Sequence, residues 1–213
     1  MVKLKKAAKV SVKATKSDHS TEEKIKMAAR KMFTQKGFAA TRTRDIAEEA
    51  GINLALLNYY FRSKEKLFDL IMLENMQHFV MGMKGVLSDE TTTLQEKFEQ
   101  FVGNYIDMLT QHPDLPLFIL HEIKANPDKF VERVGIQNVI FGTHFYKQLI
   151  AAIGKKGQPF QIIMNMMSLT VFPFVASPLL RNLGNLTPDD FNKLIESRKK
   201  LIPLWINAML TIK

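Results

Sequence analysis

The chain has 213 residues, of which 46% are hydrophobic and 24% charged, an ordinary globular composition with room for one or two domains. It has no cysteine, which excludes disulfides, thiol catalysis and zinc–thiolate sites and fits a reducing, cytoplasmic setting. The net charge is +9, and residues 1–20 carry +5, residues 21–67 carry +4 and residues 68–213 carry zero. A cationic segment on a neutral body is typical of a phosphate-binding module, although a solubilising surface with a basic tail gives the same totals.

Residues 1–19 form a basic segment before the first periodic pattern. The segment has no apolar run of about 7–15 residues, so it is not a secretory signal. We expect it to be a flexible tail that either adds a minor-groove or backbone arm on DNA or is disordered and nonspecific. A membrane-surface role is a third option, for which the segment offers little apolar anchor. Its lysines are Lys3, Lys5, Lys6, Lys9, Lys13 and Lys16.

The first helix is predicted to begin at Ser20, because Ser20 to Glu23 has the pattern of a capping box with acids in the first turn. An apolar stripe of helical period follows it. Gly37 is expected to end the helix as a left-handed cap, and Phe38 to fold back on the last turn. The stripe consists of Ile25, Ala28, Ala29, Met32 and Phe33.

Two short helices joined by a tight turn are predicted next. The second helix starts near residues 41–43 and stops at Gly51, and Asn53 is a good N-cap for the third helix. Leu57 and Phe61 are spaced to face the core from that third helix. Each helix is too short to be stable alone, so the three must pack together. This arrangement predicts a helix-turn-helix, a unit that presents one helix to a DNA major groove.

The fourth helix is predicted to open at Ser63, with Lys64 in its first turn. The positive end of the helix dipole disfavours a cation there. A bound anion would resolve this conflict, since helix N-termini are natural phosphate sites. The alternative is that Lys64 is solvated beside Glu65.

From residue 68 onward the pattern is helical and no strand alternation is sustained. The sequence Thr187-Pro188-Asp189-Asp190 marks a firm helix start. Residues 157–180 carry no charge and are long enough to span a bilayer, but three prolines interrupt them, so we predict a core or interface helix and no membrane partner. The predicted helices cover residues 63–84, 92–111, 115–124, 130–154, 159–176 and 188–211.

The spacing of the first fifty or so residues after the tail resembles the TetR family of transcriptional regulators. The matching pattern runs through Ile25-x-x-Ala28-Ala29-x-x-x-Phe33-x-x-x-Gly37-Phe38, Thr41-x-x-x-x-Ile46-Ala47-x-x-Ala50-Gly51-Ile52 and Leu57-x-Tyr59-x-Phe61-x-Ser63-Lys64-Glu65-x-Leu67. The resemblance implies an all-α homodimer. Each subunit would have a DNA-binding domain over residues 20–67 and a ligand-binding and dimerisation domain over residues 68–213.

The resemblance also implies roles for individual residues on double-stranded DNA. Asn58 and Leu54 depart from the residue types common in the family, so Asn58 either contacts adenine or caps a phosphate, and Leu54 either touches a thymine methyl or packs inward. Arg42 and Lys64 are expected to set affinity rather than sequence preference. The full set of expected DNA-binding residues is Arg42, Thr43, Arg44, Asn53, Leu54, Ala55, Asn58, Tyr59, Tyr60 and Lys64.

The C-terminal body is rich in Phe and Met, which suits a pocket for a small hydrophobic effector, although most of these residues are expected to be ordinary core. No cofactor or metal site is predicted. In family terms the pocket lies between the middle helices, and the residues expected to line it are Phe101, Tyr105, His121, Phe141, His144 and Met167.

Dimerisation is predicted to use the helices near 159–176 and 188–211, placing two recognition helices on a two-fold symmetric, palindromic operator. The simplest form of such a regulator is a repressor that is released from DNA by its ligand.

Two other classes of protein compete with this regulator. An enzyme lacks a recognisable catalytic motif. A helical scaffold protein with nonspecific nucleic-acid affinity would not explain why the charge gathers on the helix-turn-helix.

Overall fold

The computed structural model describes residues 2–154 and 158–211, with side chains described from residue 20 onward except at Asn138. The roles expected of the tail lysines therefore lie outside the described residues. Over the described part of the chain the protein is all-α, with twelve helices and no strand. The chain divides into two compact units, Met1–Met72 and Leu73–Lys213. The predicted domain limits at residues 19 and 67 stay predictions.

The first unit contains three helices and the start of a fourth. They are α1 (Val2–Ala40), α2 (Thr43–Ala50), α3 (Leu54–Tyr60) and α4 (Lys64–Ser88), the last of which ends in the second unit.

The predicted helix start at Ser20 is wrong, because α1 runs through this position from Val2. No Gly or Pro lies between Val2 and Ser20 to interrupt the helical hydrogen bonds, and Lys and Ala, which recur there, are good helix formers. In a continuous helix the amides near Ser20 no longer need a capping side chain.

Gly37 breaks α1, as predicted, with φ 74° and ψ 165°. Its positive φ is a conformation that glycine adopts without strain, although this ψ is extended rather than left-handed helical. Phe38 then folds back, with its ring centroid 5.9 Å from that of Phe33 and 4.6 Å from that of Phe68. Phe33, Phe38 and Phe68 therefore form an aromatic cluster at this turn.

The predicted helix-turn-helix boundaries are confirmed. Gly51 ends α2 in the left-handed conformation, with φ 66° and ψ 34°. Asn53 caps α3, since its side-chain oxygen accepts a hydrogen bond from the Leu56 amide at 2.8 Å. Leu57 and Phe61 are buried, so this pair fixes which side of α3 faces the core.

The second unit contains the rest of α4 and eight more helices. Its core is formed by apolar residues of α5, α9, α10 and α12, with α5 and α10 both packed on α12. The helices are α5 (Leu94–Gln111), α6 (Leu115–Ala125), α7 (Pro127–Val134), α8 (Gln137–Ile140), α9 (His144–Ile153), α10 (Pro159–Val175), α11 (Ser177–Leu183) and α12 (Pro188–Leu210).

The predicted single helix over 130–154 is wrong, because the structure divides it into α7, α8 and α9. Gly135 and Gly142 have φ values of 74° and 81°, which end helical runs. The predicted break after Ser177 is also wrong, since α11 begins there with Pro178 in its first turn, where a proline needs no amide hydrogen.

Two prolines lie inside helices of the second unit. Pro203 lies within α12 and neither ends nor divides it. Pro173 lies within α10 and supplies no amide hydrogen to the Leu169 carbonyl four residues earlier. The Nη2 of Arg198 on α12 donates to that carbonyl at 2.8 Å. The predicted start of α12 is confirmed, and the Thr187 hydroxyl and Asp190 form a capping box there.

Among the described residues, no single helix has the length and apolar character to cross a membrane, and only α10 with α11, bent by 73°, meets that test as a pair.

Candidate functional site

The outer face of α3 is the surface that the sequence predicted would meet DNA. Ala55, Asn58 and Tyr59 are exposed, and Tyr59 is 78% exposed although it is aromatic. Leu57 points the other way and is 1% exposed. The structure therefore brings these three predicted contacts together on one accessible face.

Three other predicted residues of this helix are placed differently. The side-chain oxygen of Asn53 is occupied by the helix cap. Leu54 is half-buried. Tyr60 is half-buried and meets the Tyr59 ring edge-on, with centroids 5.4 Å apart. Of the two tyrosines, Tyr59 is the more exposed.

The start of α2 presents two arginines from a braced turn. Arg42 and Arg44 are exposed, and Thr43 between them is half-buried. The Asp45 carboxylate accepts the Arg42 amide at 3.2 Å and the Lys36 ammonium at 3.1 Å. The hydrogen bond from Lys36, followed by that from Arg42, lowers the pKa of Asp45, so it is an anion at neutral pH.

A second ion pair joins the same two helices. The Lys31 ammonium on α1 lies 2.6 Å from the Glu49 carboxylate on α2. Sequence reasoning missed both Lys31 and Lys36 as bracing residues. No local signal identifies them, because their partners lie on another helix. An exposed pair of this kind contributes little to stability, but two of them restrict how α2 is oriented on α1.

Lys64 was predicted to face an anion or solvent, and in the structure its half-buried side chain is directed towards backbone carbonyls. Its Nζ donates to the Phe38 carbonyl at 2.8 Å and to the Thr41 carbonyl at 3.0 Å. It also lies 4.2 Å from the centroid of the Phe38 ring. The predicted cap at Ser63 is confirmed, since its hydroxyl accepts the Lys66 amide at 3.2 Å.

The second unit contains a small, partly open apolar cavity of about 50 Å³. Phe101 and Met167, both predicted ligand contacts, line it. Tyr105, also predicted, is buried behind them and stacks on the cavity residue Phe79 at 4.8 Å between centroids. Burial raises the pKa of the Tyr105 phenol, so it stays neutral. The lining consists of Met76, Phe79, Val80, Met83, Leu87, Phe101, Ile136, Val139, Ile140 and Met167.

The other predicted ligand contacts lie away from this cavity. His121 is exposed on α6. Phe141 is 48% exposed and packs against Tyr146, with centroids 5.2 Å apart. His144 is half-buried at the start of α9. For Phe141 and His144, periodicity could not make this separation, because Gly135 and Gly142 redirect the chain between α7 and α9.

An exposed apolar surface lies on α10 and α12. From α12, Leu194, Leu201 and Trp205 are 38–40% exposed, whereas Ile195 and Ile202 of the same helix are buried. From α10, large side chains are exposed as well, and we call the combined set the α10/α12 face. It consists of Phe160, Met164, Phe172, Leu194, Leu201 and Trp205.

Within the described parts of the chain, no group of three or more His, Cys, Asp or Glu side chains is placed to hold a metal ion.

Residues 25–71 match the family model described as "Bacterial regulatory proteins, tetR family". Over 199 residues the chain is 25% identical to the "Probable HTH-type transcriptional regulator YttP" of Bacillus subtilis, covering 89% of this chain and 94% of that protein. It is 29% identical over 114 residues to the HTH-type transcriptional repressor NicS of Pseudomonas putida, covering 54% and 53% of the two chains. The crystal structure of the regulator FadR from Bacillus subtilis in complex with stearoyl-CoA shares the fold, with a TM-score of 0.59 over 87% of this chain and 97% of that chain at 16% identity.

Proposed function

We propose, since the chain belongs to the TetR family of transcriptional regulators, that it is a repressor released from a two-fold symmetric operator by a small hydrophobic ligand. The observation that carries the proposal is the exposed face of α3, with Asn58 and Tyr59 accessible beside a positively charged segment. The confirmed helix-turn-helix boundaries support the use of this face in a major groove.

The proposed contacts divide into two kinds. Arg42, Thr43 and Arg44 lie at the braced start of α2 and would contact phosphates, which sets affinity without sequence information. On α3, Asn58 would contact a base edge. The other proposed contacts of this helix are Asn53, Leu54, Ala55, Tyr59 and Tyr60.

A second copy of the chain is the proposed occupant of the α10/α12 face. Three aromatic side chains and three large aliphatic ones would leave water there on dimerisation, which is the favourable term in such association. A two-fold symmetric operator requires two recognition helices about 34–36 Å apart, the spacing of successive major grooves on one side of the duplex, and a dimer supplies one α3 from each copy.

The apolar cavity of the second unit supports a hydrophobic effector. Its lining side chains are all apolar, and Met76, Met83 and Met167 are flexible enough to reshape as a ligand enters. At about 50 Å³ the cavity is far smaller than a typical ligand site of roughly 300–1,000 Å³, so binding would have to enlarge it. Such a rearrangement is a means by which a ligand could favour a DNA-free conformation.

Selection of bound fragments from sheared genomic DNA at near-physiological salt, followed by sequencing, tests the proposal. Enrichment of a two-fold symmetric site is the expected result. Binding without enrichment that disappears as salt rises would overturn it in favour of nonspecific electrostatic binding. Addition of hydrophobic extract from the source cells should then release the selected fragment.

A further inference from the structure

Lys64 occupies a site made of backbone carbonyls and an aromatic ring. Its ammonium donates to the carbonyls of Phe38 and Thr41 at 2.8 and 3.0 Å, and lies 4.2 Å from the Phe38 ring centroid. The side chain is half-buried. Two carbonyl acceptors and the negative face of a ring together provide what an ammonium needs in place of water or an anion.

These carbonyls lie at the end of α1 and just after it, where the helix has already been broken at Gly37. The last carbonyls of a helix have no intrahelical partner, so other groups have to donate to them. The buried Thr41 hydroxyl donates to the Gly37 carbonyl at 2.7 Å and lies 3.2 Å from that of Met32. Lys64 donates to the Phe38 and Thr41 carbonyls, so this one side chain connects the start of α4 to the turn between α1 and α2.

The turn held by Lys64 leads directly into the proposed phosphate contacts. Thr41, whose carbonyl it binds, precedes Arg42, and the Arg42 amide is held in turn by Asp45. Arg42 and Arg44 are exposed just beyond this fixed backbone. Holding the backbone in place before binding reduces the ordering cost that the arginines would otherwise incur on the duplex.

We propose that Lys64 is a positioning residue for DNA binding, which holds the α1–α2 turn for Arg42 and Arg44 and does not itself neutralise a phosphate. The inference rests on the proposed DNA-binding function. It also explains how a lysine is tolerated at the positive end of the α4 dipole, because carbonyl dipoles rather than an anion offset the repulsion.

The test compares the salt dependence of binding to the selected DNA fragment for wild type, K64M and K66M. Lys66 is an exposed lysine in the same turn of α4, so K66M controls for the general loss of one charge. Relative to K66M, K64M is expected to bind about tenfold more weakly at every salt concentration, because two charge-assisted hydrogen bonds are lost. The slope of log K against log salt should match that of K66M.

A direct phosphate contact gives a different result, since each one contributes about 0.9 to the slope. A slope for K64M that falls by that amount relative to K66M overturns the proposal, and so does an affinity equal to that of K66M. R42A is the positive control, with an expected slope change of about 0.9. All binding is measured well below the midpoint of thermal unfolding, so a purely structural loss of stability would not alter it. K64Q replaces K64M if circular dichroism shows that the methionine variant is unfolded.

Amide hydrogen exchange tests the positioning role of Lys64 in the absence of DNA. Amides of residues 38–45 should exchange faster in K64M than in K66M, and those of α3 should not change. Equal exchange of residues 38–45 in the two variants rejects the positioning role. If wild type selects no DNA fragment, the proposed function fails, and the exchange result alone decides whether Lys64 holds this turn.

Discussion

Arg198 on α12 donates to the carbonyl of Leu169 on α10 at 2.8 Å, in the place of the amide hydrogen that Pro173 lacks. A buried carbonyl without a donor is costly, so a proline within a packed helix is tolerated where another group takes over. Arg198 also lies 5.2 Å from the Trp205 ring centroid. This arginine thus connects a defect in one helix with the α10/α12 face.

R198M should lower the free energy of unfolding by about 1–3 kcal/mol, because it leaves the Leu169 carbonyl without a donor. In a P173A background, R198M should lower the free energy of unfolding by less, since an alanine at this position restores the amide hydrogen. Urea denaturation of wild type, R198M, P173A and the double variant, all at the same protein concentration, measures the loss of unfolding free energy in both backgrounds. An equal loss of unfolding free energy on R198M substitution in the two backgrounds would mean that Arg198 does not compensate for Pro173.

N58A should change sequence preference at one base position, by about 1–3 kcal/mol if Asn58 makes a bidentate contact with adenine. R42A should instead weaken binding to all sequences alike, because phosphates carry no base identity. Binding to a library of single-base variants of the selected fragment measures both effects. An unchanged preference profile for N58A would rule out its role at a base.

L201D should convert the proposed dimer to monomers, because it puts a carboxylate into the proposed apolar interface. Binding to a two-fold symmetric site should weaken correspondingly. L117D is the matched control, since Leu117 is an exposed leucine on α6 outside the α10/α12 face. Sedimentation velocity measures the oligomeric state of each variant. A dimeric L201D would show that the copies associate through another surface.

Xenon should enter the apolar cavity, because small apolar voids stay dry and bind such atoms. With methionine methyl groups labelled, the signals of Met76, Met83 and Met167 should shift under xenon pressure. Met27 and Met81, more than 60% exposed, are internal controls that should not move. V80F should abolish the shifts by filling the space. Shifts of equal size at all five methionines would mean that xenon does not select this cavity.

D45N should lower stability at neutral pH and have a smaller effect in acid. Asp45 has a pKa below its usual value of 3.8, chiefly because Lys36 donates to its carboxylate. A lowered pKa stabilises the fold at pH values above 3.8, and this contribution is lost as the pH falls through the pKa of the folded state. Urea unfolding at pH 7, 5 and 3 tests this. E48Q, at another carboxylate of α2, controls for the loss of one negative charge at neutral pH.

The turn residues Gly51, Asn53 and Thr187 allowed their helix boundaries to be predicted correctly. Caps of this kind are local, since the donor and acceptor lie within three or four residues of one another. The inward set of α3 followed from spacing for the same reason. Prediction was poorest where the local signal was ambiguous, as over 130–154, where two glycines that a helix can tolerate end it instead.

Charged side chains illustrate what local patterns do not contain. Lys97 on α5 is fully buried and donates to the Thr92 carbonyl at 2.8 Å and to its hydroxyl at 2.6 Å. Burial lowers the pKa of this lysine. A sequence pattern assigns such a residue to the surface, because isolated lysines are almost never buried.

The sequence by itself determined the helix-turn-helix, its caps and the positive charge around it, because these depend on short-range hydrogen bonds and composition. The tertiary structure decided the partners of Lys64 and Arg198, the lining of the cavity and the exposed side of α10 and α12. Those features depend on which helices meet, and the contacts involved join residues 23, 26 and 29 positions apart in the chain. At such separations packing of the whole unit, rather than local preference, selects the neighbours of a side chain.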